Sequence, residues 1–189
     1  IGKVKAETIL TPLAGPLWHY RYKGRLRVKF VVKKNKALVG FNEKRTHFIA
    51  DISSCDVLPQ LLSDILPSLQ DLITKLSIKD KIPQIEFAAD QNHLVLVLRI
   101  LEKLDANDES LLNTFSSQYP VQFWTQSKGP DTVKPLSKKD DVKLSYALKE
   151  FGLQFSFMPY DFTQINPFIN QVLVRRAMSL LKPLRGECI

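Results

Sequence analysis

The chain is 189 residues long, 44% apolar and 24% charged, a composition that suits a globular unit with its own core. No apolar run approaches the roughly 20 residues of a membrane-spanning helix, which excludes such a helix within these residues. The formal charge of +8 is unevenly spread, with +10 on residues 1–48 and −2 on the remainder, and points to an anionic partner: nucleic acid first, a membrane surface second. The plainer alternative is a solvated strand face kept soluble by its charge.

Residues 1–17, with Pro12, Gly15 and Pro16, read as a lead-in with one short edge strand. From Arg25 the alternation is clean: Leu26, Val28, Phe30 and Val32 face one way, Arg25, Arg27, Lys29 and Lys33 the other. Lys34-Asn35-Lys36 makes the turn, and Ala37–Phe41 returns as the partner strand. A basic loop over 42–46 leads to a short strand at His47–Ile52. From Leu58 onward, Leu61, Leu62, Ile65, Leu66, Leu69, Leu72, Ile73 and Leu76 keep helical spacing, with Pro67 expected to kink or split the helix.

Ile85, Phe87 and Ala89 alternate with polar or small neighbours, Asp90-Gln91-Asn92 turns, and Leu94–Ile100 is apolar nearly throughout. That last run predicts a central strand covered on both faces. Asn107 is the expected cap of a helix carrying Leu111, Leu112, Phe115 and Tyr119, which Pro120 ends before a strand at Val121–Gln126. A polar loop over 127–141 holds a short strand near Val133–Leu136. Leu144–Leu148 and Leu153–Met158 form a hairpin turning at Lys149–Gly152. Asn166 then caps, and Pro167 begins, a helix whose stripe runs through Ile169, Val172, Leu173, Ala177, Leu180 and Leu181 until Pro183 stops it.

The expected fold is α+β: an antiparallel sheet with helices on one face, built on a ferredoxin-like β-α-β-β-α-β core with extra hairpins. Residues 1–158 form the central α+β region and 159–189 a linker motif with its helix. The absent initiator Met and the apolar ending predict an excised segment.

Little chemistry is complete in these residues. His19, His47 and His93 are scattered, and no phosphate-cradling loop or nucleophile–base order is present. Cys55 and Cys188 make no disulfide framework, which favours a cytoplasmic setting. No catalytic residue is assigned.

Several elements do occur in a telling series: Trp18-His-Tyr-Arg-Tyr-Lys-Gly-Arg-Leu26, Gly40-Phe41, Ser54-Cys55-Asp56-Val-Leu-Pro59, Asp161-Phe162-Thr-Gln164-Ile-Asn166 through Asn170, and Gly186-Glu187. In this order they resemble the bacterial 23S ribosomal RNA (uracil-5-)-methyltransferases, the iron–sulfur-containing branch of the RNA uracil-5-methyltransferases. The resemblance runs over essentially the whole chain. It implies a region between an N-terminal RNA-binding barrel and a C-terminal, Rossmann-like catalytic domain, both missing here. In the family the catalytic domain binds S-adenosylmethionine and supplies the Cys nucleophile and the carboxylate base.

Residue by residue, the resemblance makes Gln164 a contact of S-adenosylmethionine beside the flipped uracil, and Phe162 and Asn166 its pocket neighbours. Cys55 matches the fourth ligand of a [4Fe–4S] cluster, whose other three lie upstream in a C-x5-C-x2-C run that this chain lacks. Both cofactors are therefore implied for the whole enzyme and neither for this chain by itself. The basic strand, with Trp18, Arg21, Lys23, Arg25, Arg27 and Lys29, is the expected grip on ribosomal RNA, with no membrane partner. Two alternatives stand: the transfer-RNA-modifying branch of the same family, and a stand-alone ferredoxin-like module that binds RNA or protein.

Overall fold

The computed structural model describes residues 5–137, 143–184 and 186. The expectations for Glu187, Cys188 and the 138–142 part of the polar loop lie outside them. Among the described residues the strands are β1 (Lys23–Val31), β2 (Lys36–Gly40), β3 (Gln84–Ala89), β4 (Leu94–Arg99), β5 (Val121–Gln126), β6 (Lys134–Pro135), β7 (Leu144–Leu148) and β8 (Leu153–Phe157). The α-helices are α1 (Gln60–Asp64), α2 (Leu66–Lys75), α3 (Ala106–Gln118) and α4 (Pro167–Leu181). None of these helices is long and apolar enough to cross a membrane.

Six strands form one sheet in the order β2-β1-β3-β4-β5-β6, and β7-β8 form a separate hairpin. The sheet is mixed rather than antiparallel, because β4 and β5 run parallel from Leu94↔Val121 to Arg99↔Gln126. The ferredoxin-like interleaving is absent. In that arrangement the first strand would separate the strands flanking α3, whereas here β4 and β5 are direct neighbours. β1 instead occupies the open edge of β3, pairing Lys23↔Ala88 through Arg27↔Gln84. Its second half, Arg27↔Gly40 to Val31↔Lys36, pairs with β2.

Alternation decides the layers. Leu26, Val28, Ile85, Phe87, Leu94, Leu96, Leu98, Val121 and Phe123 face α2 and α3 in one core. On the opposite face Ala88, Val95, Val97 and Trp124 are covered by Leu144 and Phe157 of the hairpin. The doubly buried β4 expected from its apolar run is thus present, with helices on one side and a hairpin on the other. Full burial of a valine is worth about 1.5–3 kcal/mol, so an uncovered β4 would be costly.

Local chemistry sets the boundaries. Pro67 splits the helix as expected: α1 stops at Asp64, and Pro67 falls in the first turn of α2, where its missing N–H costs no hydrogen bond. The cap of α3 is Asp105, not Asn107. Its carboxylate accepts from Asp108 N at 2.7 Å while Asp108 reaches back to Asp105 N, a reciprocal capping box. Asparagine two residues later cannot compete with that pairing. The strands expected in the lead-in and at His47–Ile52 do not form among the described residues; the second is reduced to a single bridge, Asn42↔Ile49. Asn166 caps α4 by accepting from Phe168 N and Ile169 N. The apolar stripe of that helix stays open, with no residue fully buried and Leu180 62% exposed.

Asp108 also joins two elements. Fully buried, it accepts from Ser77 N at 2.7 Å and from Ser77 Oγ at 2.6 Å, fastening the start of α3 to the chain leaving α2. Asp108→Ala removes the shared acceptor and is expected to lower stability by about 2–4 kcal/mol, read as a shifted urea midpoint. Ser110→Ala on the exposed side of the same helix is expected to move stability by less than about 0.5 kcal/mol.

Candidate functional site

The start of β1 is where three distant segments meet. Tyr22 N donates to Ile165 O at 2.8 Å, and Ala89 N donates to Tyr22 O at 2.8 Å, so the 158–166 motif is stitched to the sheet through one residue. Lys23 Nζ donates to Pro159 O at 2.9 Å and also to Asp161 O. Burial lowers the pKa of this ammonium below its ordinary value, while Glu86 and Asp161 oppose the shift. Asp161 closes its own turn by accepting from Met158 N at 2.8 Å.

Beside this junction lies a cleft of about 280 Å³. One wall is the β3–β4 turn with Asp90, Gln91 and Asn92, and a second is the β7–β8 hairpin with Ser145, Tyr146 and Gln154. A third is the motif and the first turns of α4, with Gln164, Phe168, Asn170 and Gln171. Aromatic rings brace these walls. Tyr22 meets Phe168 edge-on at 6.0 Å, and Tyr146 stacks on Phe155 at 5.1 Å.

Asp90 holds two of the walls together. Its Oδ1 accepts from Asn92 N and His93 N, both at 2.8 Å, and its Oδ2 from Ser145 N at 3.0 Å. Burial alone would raise its pKa; the donors at Asn92, Ser145 and His93 outweigh that and hold the carboxyl below its ordinary value. Since those donors occupy its oxygens, the lining that remains is dominated by carboxamides and aromatic rings. Carboxamides donate and accept alike, which suits a planar neutral group with a mixed hydrogen-bonding edge.

Of the three expected pocket residues, only Gln164 lines the cleft. Phe162 is 86% exposed, and the Asn166 carbonyl oxygen is committed to the α4 cap. Asp90, Tyr146 and Gln171 went unnoticed at the level of sequence. Asp90-Gln91-Asn92 was legible as a turn, but nothing local says that Ser145 will meet it.

The basic strand divides into two groups. Arg25 is paired with Glu86 through Nε at 3.0 Å and Nη2 at 2.6 Å. Arg21 lies over the Phe41 ring at 5.5 Å with its Nε buried, and Lys23 is tied to the motif. Arg27 and Lys29 are exposed and have no carboxylate within salt-bridge range among the described residues. Trp18 is 57% exposed.

Cys55 is a half-buried free thiol. A cubane cluster needs four thiolates, and among the described residues no three His, Cys, Asp or Glu side chains come together. These residues do not fit an iron–sulfur cluster by themselves, and no step is derived through one.

Comparison with known proteins gives the site a context. No family model matches the chain. The 23S rRNA (uracil(1939)-C(5))-methyltransferase RlmD of Burkholderia ambifaria is 50% identical over 187 residues, 99% of this chain and 40% of that protein. That of Burkholderia pseudomallei is 49% identical over the same span. Over nearly its whole length the chain is similar to these 23S rRNA (uracil-C5)-methyltransferases. It spans 40% of the length of these curated relatives. Among solved structures, the Pyrococcus abyssi tRNA (uracil-54, C5)-methyltransferase in complex with S-adenosyl-L-homocysteine matches with a TM-score of 0.61. The match covers 91% of this chain and 43% of that one at 18% identity, a likeness of fold.

The Asp90 clamp has a pH signature. Its folded pKa is depressed, so its contribution is complete above the ordinary carboxylate value near pH ~4 and is lost as the pH falls through the depressed value. Trp124 lies under the hairpin. In a Trp18→Phe background, Trp124 emission is expected to shift to the red over that acid range, and at neutral pH in Asp90→Ala. Emission unmoved by both would show that Asp90 does not hold the hairpin down.

Proposed function

We propose that this chain is the central, substrate-holding region of an S-adenosylmethionine-dependent methyltransferase acting on C5 of a uridine in 23S ribosomal RNA. The observation that carries the proposal is Gln164. It opens onto a carboxamide- and aromatic-lined cleft in a chain 50% identical over 187 residues to enzymes of that name. A base that is to be methylated must leave its stack, and a pocket edged by Gln164, Asn170 and Gln171 offers a flipped base both donors and acceptors, with the Asp90 carboxylate engaged by backbone donors and Lys149 on the hairpin wall.

Around that cleft the residues divide the work. Lys23 and Tyr22 hold the 158–166 motif in register with the sheet, which orients Gln164. Arg27 and Lys29, free of carboxylate partners among the described residues, face outward toward the RNA backbone, and the exposed Trp18 ahead of β1 offers a stacking surface. S-adenosylmethionine supplies the methyl group when bound, and Gln164 is the residue of this chain offered to it; Phe162 and Asn166 shape the approach. Cys55 contributes a single thiolate to the [4Fe–4S] cluster of the whole enzyme. The nucleophile and base belong to a further catalytic domain, so residues 1–189 are inactive alone, and the enzyme works in the cytoplasm. The transfer-RNA branch shares the backbone, but 50% identity to the ribosomal enzymes favours ribosomal RNA.

The test uses the full-length polypeptide, methyl-labelled S-adenosylmethionine, and 23S rRNA or tRNA as acceptor. Label is expected in 23S rRNA. Gln164→Ala is expected to cut incorporation by about 10–100-fold, the loss of one polar contact of about 1–3 kcal/mol, while the melting temperature holds. Label confined to tRNA, or none in either RNA, overturns the proposal.

A further inference from the structure

The loop between β2 and the Asn42↔Ile49 bridge belongs neither to the cleft nor to the basic face of β1. It is well organised: Glu43 N donates to Phe48 O at 2.9 Å, Thr46 N to Glu43 O at 3.2 Å, and Phe48 N to Thr46 Oγ1 at 3.1 Å. Below it, Ala50 N donates to Phe41 O, and Asp51 is held by Lys34 and Lys36. Yet its tip presents what a folded core would hide. Phe48 is 58% exposed and lies against the ring of His47, centroids 4.6 Å apart and planes 33° from parallel. Lys44 and Arg45 precede the pair in the same loop, both exposed, and Glu43 is the one carboxylate of the loop.

Register gives the loop its position. β2 ends beside Arg27 of β1, and β3 ends beside Lys23, so the loop after β2 and the β3–β4 turn of the cleft emerge at the same end of the sheet. Arg27 is the strand cation nearest that end with neither a carboxylate nor a carbonyl partner in hydrogen-bond range among the described residues. A pair of exposed rings in a cationic loop is the kind of surface that unpaired bases use, because every base has a π-face and a phosphate close behind it. A duplex, with its bases stacked on one another, offers such rings no comparable face.

We propose that the 42–48 loop is a base-stacking finger for unpaired RNA, with Phe48 and His47 as the platform and Lys44 and Arg45 as the grip on the flanking phosphates. It holds a nucleotide away from the one that enters the cleft. The inference rests on the RNA-substrate reading above.

The experiment measures binding of a labelled 23S rRNA transcript by the full-length protein carrying Phe48→Ala, Phe48→Leu or Phe48→Trp. Stacking predicts that Ala and Leu weaken binding on the order of tenfold and that Trp retains it; Lys44→Ala with Arg45→Ala lowers the salt dependence of binding. Since Phe48 is exposed, melting temperatures are expected to agree among the variants. A wild-type protein that does not bind the transcript removes the RNA reading itself. Wild-type binding matched by Phe48→Ala, or by Phe48→Leu, overturns the finger while leaving that reading in place.

Discussion

Val95 and Val97 turn away from the helices, and the rest of the molecule is arranged to cover them. Leu94, Leu96 and Leu98 already use the helical side, so β4 is buried twice and needs a second layer. The β7–β8 hairpin is that layer. Because it comes from far along the chain, it needs an anchor, which Asp90 provides through Ser145 N. The cleft is a consequence: a hairpin pinned across one end of a sheet leaves a gap between itself, the β3–β4 turn and the helix that follows. Site and core share one structural cause.

The cations of β1 illustrate how a single run of charge divides its duties. Four basic residues alternate from Lys23 to Lys29, yet the fold makes structural use of the first two. Lys23 is drawn into carbonyl oxygens of the motif, and Arg25 into Glu86. An exposed ion pair of the second kind contributes at most about 1 kcal/mol, so its value lies more in orienting β1 against β3 than in holding the fold. Arg27 and Lys29, beyond the reach of β3 carboxylates, keep their charge outward. Net charge by itself could not make this division.

α4 shows the opposite imbalance. Its capping is complete: Asn166 is at the N-cap, Pro167 in the first turn, and Lys182 is left-handed at φ 44° before Pro183. Its packing is not: no residue of the helix is fully buried, although Ile169 comes close to the lead-in, where a β-carbon on Gly15 would lie 2.7 Å from it. The same helix carries Asn170 and Gln171 into the cleft. The 158–166 motif and α4 are therefore firmly placed at one end and loosely covered at the other.

Elements were legible wherever local physics was strong. Alternation marked β1 and β3, and proline marked the α1–α2 break and the start and stop of α4; these signals act within a few residues and survive into the fold. Sheet order was not legible, because β-α-β-β-α-β is compatible with an interleaved and an unsplit arrangement, and the choice turned on which edge of β3 received β1. Asp105 against Asn107 was a contest between equivalent cap residues, decided by the return contact from Asp108. Gln164 stood out in sequence through a motif, but its cleft-mates Asp90 and Tyr146 lie about 74 and 18 residues away from it. Such contacts exist only once the hairpin has closed over β4, since long-range pairing is imposed by burial rather than by neighbours along the chain.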